Sequence, residues 1–136
     1  MTDRMPIVAG QFYPAGADDL RNTVKKYLRF DGKPHKAIAA ISPHAGYIYS
    51  GEVAGHVFSR VVVPKKVIVL GPNHTGVGAE AGVMKDGSWI LPTGKVPVDE
   101  KLAALIIGAS KYLKADVQSH ASEHSLEVLL PFLLER

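Results

Sequence analysis

Hydrophobic positions recur along this chain in helical stripes separated by short, unbroken apolar runs. Leu20, Val24, Tyr27 and Leu28 return at helical spacing behind Asp18 and Asp19, while Arg21, Lys25 and Lys26 fall on the other face. Paired carboxylates suit a helix N-terminus, so a first helix is predicted here, closed by Asp31-Gly32-Lys33-Pro34. Ala37 to Ser42 and Lys66 to Leu70 are continuous apolar runs too short for helices, and both read as buried strands. Between them Ser50 can cap a helix carrying Val53, Ala54, Val57, Phe58 and Val61 on one stripe, stopped by Pro64. Strand, helix and strand within about 35 residues predict a βαβ unit with parallel strands.

Around this unit the signals are shorter. Ile7 to Pro14 is a brief apolar segment closed by a Pro and Gly turn. Thr75 to Pro97 is glycine-rich, with Ala81 to Met84 and Ser88 to Leu91 as candidate strands. Asp99 caps a helix through Leu102, Leu105 and Ile106 that ends near Gly108, and Tyr112 to Gln118 alternates weakly, as a further strand would. Ser122 opens a last helix, Glu123 to about Leu134, with Leu126, Leu129, Leu130 and Leu133 apolar. Its pattern still runs as the sequence reaches Arg136, with no glycine stop, so a truncated domain is expected. The elements together predict one α/β domain over residues 1–136, with a parallel or mixed central sheet flanked by helices.

Composition narrows the function classes. With 46% hydrophobic and 21% charged residues, a packed core is expected rather than disorder. The net charge is +3, and the 16 Lys and Arg are scattered, without the basic stripe of a nucleic-acid binder. The absence of cysteine excludes disulfides, thiolate ligands and a cysteine nucleophile within these residues. No apolar run approaches the roughly 20 residues that span a bilayer, and the N-terminus lacks a signal-peptide core. A soluble, cytoplasmic protein with no membrane and no nucleic-acid partner is the expectation.

The chemistry-bearing residues cluster in two places. His44 and His74 each follow directly on a predicted strand of the βαβ unit, and ligands of open α/β sheets bind outside such strand ends. Adjacent strands lie about 4.8 Å apart, close enough for two imidazoles to share an ion such as iron, zinc or copper. Taken singly, each is as well read as a hydrogen-bonding loop residue; the matched positions make the pair. Tyr47 and Tyr49, on the loop after His44, either wall a pocket or pack in the core, and Asn73 stands beside His74. The second cluster is His120-Ala121-Ser122-Glu123-His124-Ser125-Leu126-Glu127. It is not an HExxH motif, since no Glu follows the first His. Glu123, His124 and Glu127 can supply an acid or base, or simply cap a solvated helix start. No GxSxG, Walker or GxGxxG pattern is present.

AGQFYPAGADDL, SPHAGYIYSGEVAGHVF, VIVLGPNHTG and ASEHSLEVLLPFL resemble, in order and spacing, the Memo family (mediator of cell motility). Its archaeal and bacterial branch is known as AmmeMemoRadiSam system protein B. The resemblance implies a fold like the class III extradiol dioxygenases, whose Fe(II) is held by two His and a carboxylate. It places the family's paired site histidines on His44 and His74 as metal ligands, for Fe(II) or alternatively Cu or Zn. His124 is then an acid or base at the rim, oriented by Glu123, with Tyr47 and Asn73 as pocket residues. Family members are longer than this chain, and a third ligand position would lie in what is absent here. The resemblance implies a metal-dependent oxidoreductase; the alternative is a binding module holding a phosphopeptide or small anion in the same crevice. The expected partners are a small-molecule or peptide ligand, a radical-SAM protein and further copies in a homo-oligomer.

Overall fold

The computed structural model describes residues 3–136. Three of its helices lie where the periodicities put them. Helix α1, Ala17–Tyr27, buries Leu20 and Val24 and carries Asp18 and Asp19 in its first turn. Helix α2, Tyr47–Arg60, begins before Ser50, because Gly46 rather than Ser50 takes the cap position. The Ser50 hydroxyl instead donates back to the Ala45 carbonyl at 3.2 Å. The buried face of α2 is Tyr47, Gly51, Ala54, Gly55 and Phe58, whereas Val53 is exposed. The glycines let α1 approach closely: a Cβ on Gly55 would lie 2.4 Å from the Tyr27 backbone.

The strands depart from expectation. β1 (Gly82–Val83) pairs in parallel with β4 (Lys114–Ala115), and β2 (Ser88–Leu91) pairs antiparallel with β3 (Gly94–Pro97). The hairpin turns on Pro92 and Thr93, with Gly94 at φ +151°, and β3 is an element the sequence pattern did not single out. Arg4 adds to the other edge of β2, its amide donating to the Ser88 carbonyl at 2.8 Å and its carbonyl accepting from the Ile90 amide at 2.9 Å. The fold is therefore α/β, but its two small sheets are not one parallel central sheet.

The predicted strands at Ala37 to Ser42 and Lys66 to Leu70 do not form, so the βαβ unit is corrected to two extended segments flanking α2. A buried strand needs hydrogen-bonded neighbours at its edges and packed layers on its faces. Here both segments lack ladder partners, and Ile38, Ile41, Ile68 and Leu70 are exposed. Residues of both segments nonetheless line one cavity of about 630 Å³, together with Val57 and Phe58 of α2.

Helix α3, Glu100–Gly108, has the Asp99 cap, its carboxylate accepting from the Leu102 amide at 3.0 Å. The single last helix predicted from Glu123 is replaced by pieces. These are α4 (Gln118–Ala121), a 3-10 turn (Glu127–Leu129) and α5 (Leu130–Leu134), which has Pro131 in its first turn. Proline has no amide to donate, which suits a helix start and not a helix interior. The core sits on both sides of α5. Leu129 and Phe132 join Leu20, Val24, Tyr47 and Phe58, while Leu130 joins Met84, Trp89 and Leu91.

Packing on Phe132, fully buried and stacked at 5.5 Å on Phe58, makes Phe132→Ala costly, by about 3–5 kcal/mol. Ile38→Lys, at a fully exposed position, should change stability by less than about 0.5 kcal/mol. Urea unfolding of both variants checks the contrast.

Candidate functional site

The loops that carry His44, His74 and His124 meet at one end of the molecule. The amide of Tyr47, at the start of α2, donates to the Phe12 carbonyl at 2.7 Å, pinning the Pro43-to-Tyr47 loop to the N-terminal segment. The Ser125 hydroxyl donates to the Pro72 carbonyl at 3.2 Å, joining the last loop to the Gly71-to-His74 loop. Gly71 is needed there, since a Cβ would lie 2.6 Å from the Ser125 Oγ. Three imidazoles result, with centroids 4.7 Å apart for His74 and His124, 5.2 Å for His44 and His74, and 6.1 Å for His44 and His124. The His74 and His124 rings are nearly parallel, and Phe12 lies 4.7 Å from His124.

Glu123 organises this group from a buried position. Its carboxylate contacts the His74 Nδ1 at 2.8 Å and accepts the His74 amide at 2.6 Å, the His124 amide at 2.9 Å and the Ser125 amide at 2.8 Å. Burial raises its pKa, but hydrogen bonds from the His74 side chain and the Ser125 and His74 amides outweigh that and bring it to about 2. The carboxylate is thus charged and directed at His74 more than at His124, whose Nδ1 is 3.8 Å away. His124 is held below the ordinary imidazole value by burial and by the neighbouring His74 and His44, against the opposing pull of Glu123. One donor atom each from His74, Glu123 and His124 lies within 4.8 Å of the others.

Other candidates fall elsewhere. Tyr47 is buried in the core, donating its hydroxyl to the Val128 carbonyl at 2.8 Å. Asn73 shapes its own loop, donating to the Val77 carbonyl and accepting from Thr75 and Gly76. Glu127 is fully buried and bonded to Arg4, the Tyr13 hydroxyl and the Ile7 and Val8 amides, so it is structural. His120 sits on α4, edge-on to Trp89 at 5.9 Å and apart from the cluster. Phe12 was not singled out from the sequence; only its place in the Gln11-Phe12-Tyr13 block hinted at a role.

This arrangement makes the protein a small α/β domain carrying a histidine–carboxylate cluster at the junction of its motif loops. The chain belongs to the Memo-like protein family, whose profile matches residues 4–136. It is 40% identical to a MEMO1 family protein of Thermotoga neapolitana over 96% of this chain and 52% of that protein. It is 39% identical to one of Methanopyrus kandleri (96% and 51%) and 40% identical to one of Pyrococcus abyssi (96% and 46%). The chain thus spans about half the length of the curated relatives it matches. Among the described residues, no helix is long and apolar enough to cross a membrane.

Removing charge from the buried node should propagate to this site. Glu127→Gln leaves Arg4 without its buried partner and should cost about 3–5 kcal/mol, read by urea unfolding. A pH effect comes from His120, which burial holds below the ordinary imidazole value of 6.5. The unfolded chain takes up that proton near 6.5 while the folded chain does not, so this contribution is complete above 6.5 and is lost as pH falls. The melting temperature should drop between pH 7 and pH 5, and less steeply in His120→Asn.

Proposed function

We propose that the chain holds a divalent transition metal at His44 and His74, with His124 at its edge, as part of a metal-dependent oxidoreductase. The observation that carries this is the convergence of three imidazoles, one of them fixed through Nδ1 by a buried carboxylate. Such a carboxylate–histidine pair sets the tautomer and leaves Nε2 free to ligate. The donor set fits the group: neutral imidazoles suit iron, copper and zinc, with Fe(II) first for a family resembling the extradiol dioxygenases. Fe(II) at this position would supply open coordination sites and one-electron chemistry.

The chain's own residues prepare that position. Glu123, ionised, keeps a proton on His74 Nδ1 and holds the loop through the His74 amide. His124, favoured neutral by its surroundings, can accept a substrate proton on its ring, while Phe12 shields one side. We further infer that the domain is part of an extradiol-dioxygenase-like fold, which the motif order and the meeting of those motifs support.

Anaerobic Fe(II) titration should give one binding event per chain. His44→Ala and His74→Ala should each cost well over the roughly 10-fold to 100-fold expected for losing a carboxylate behind a ligand, with His56→Ala, at an exposed position of α2, as an unchanged control. Glu123→Gln should weaken it less than His74→Ala. Binding that survives both histidine substitutions would rule the assignment out.

A further inference from the structure

The two runs that carry a strand signal without forming strands line one cavity. Ile38, Ile41, Val62, Val67, Ile68 and Leu70 are all exposed, and all belong to the lining of the cavity of about 630 Å³. Proteins seldom leave so many large apolar side chains together in water, and such patches mark places where another molecule docks. The one ionisable side chain on the lining is Lys66, whose ammonium is already paired with Asp99 at 2.7 Å. Nothing there selects a charged ligand.

The backbone says what kind of ligand fits. Among the described residues, no amide or carbonyl of residues 37–42 or 66–70 takes part in a backbone hydrogen bond. A cavity over one face of an extended run touches every second residue. This one is lined by all six residues from Ala37 to Ser42 and all five from Lys66 to Leu70, so it meets their edges, where amides and carbonyls project. A small apolar molecule would cover the side chains and leave those groups unpaired. A polypeptide strand would cover the side chains and pair the backbone, as in β-strand addition. Runs of five and six residues are also the usual length of a strand.

The relatives show where such a strand comes from. They contain about as much polypeptide again as this chain matches. We infer that residues 37–42 and 66–70 receive an uncharged, apolar β-strand from polypeptide equivalent to that unmatched half, and become strands themselves on pairing with it. The inference rests on family membership and on these two edges; it needs no metal and no particular activity.

The test co-expresses the whole chain with a tagged polypeptide comprising the part of the Thermotoga neapolitana relative that the chain does not match, purified in EDTA. The two should be recovered as a one-to-one complex. Amides of residues 37–42 and 66–70 should then exchange with deuterium about 100-fold more slowly than in the chain alone. Ile38→Lys and Leu70→Lys, at exposed positions, should each lower recovery of the complex at least about tenfold and leave the urea midpoint of the chain alone unchanged. Tyr112→Lys, exposed and outside the cavity lining, should alter neither. The corresponding part of the Methanopyrus kandleri relative should behave alike. No complex with either part, a complex that survives both lysine substitutions, or one that leaves those amides unprotected would overturn the assignment. Slow exchange that instead grows with the concentration of the chain alone would give the face to a second copy, and overturns it too. Because EDTA is present throughout, failure of the metal reading would leave this result standing, and the reverse.

Discussion

The buried pair of Arg4 and Glu127 ties the two ends of the described chain together, and the site depends on it. Glu127 is fully buried and receives Arg4, the Tyr13 hydroxyl and the Ile7 and Val8 amides. Arg4 in turn donates to the carbonyls of His120 and Glu123 and lies 4.5 Å over the Trp89 ring. One guanidinium thereby fixes the β2 edge, the end of α4 and the backbone of the residue that orients His74. Buried ion pairs are weak sources of net stability, but breaking one leaves a stranded charge, so the pair specifies geometry more than it adds stability. The burial and hydrogen bonding of the Tyr13 hydroxyl beside Glu127 push its pKa well up, which keeps that donor protonated across the physiological range.

From that node the site is assembled by backbone contacts more than by side chains. Phe12 receives the Tyr47 amide, Ser125 reaches Pro72, and Glu123 takes three amides as well as an imidazole nitrogen. A carboxylate with this many donors stays ionised far below neutral pH. Three histidines separated by thirty to fifty residues of sequence therefore meet without a common helix or strand to carry them.

Helices were the legible part of the sequence. The stripe of Leu20 and Val24, and the Asp99 cap, were readable because they are local: one helix face, one side chain three residues from its amide. The apolar runs at 37–42 and 66–70 carry a strand signal whose fulfilment depends on neighbours, and periodicity says nothing of which neighbours are present. Pro131 explains why the final apolar stripe breaks into short pieces although its spacing runs on. His44, His74 and His124 were nameable from their blocks. The choice of Glu123 for His74 rather than His124 was not, because it depends on how two loops dock. The same holds for Glu127, whose charge suggested solvent and whose burial follows from Arg4 far away in sequence.

The claim that the histidine cluster is a metal centre is tested most directly by an anomalous-difference map from crystals grown with Fe(II) under anaerobic conditions. The account predicts one iron peak in contact with ring nitrogens of His44 and His74, with Glu123 still bonded to His74 Nδ1. A peak confined to surface carboxylates, or no peak at the cluster with iron in excess, would contradict it.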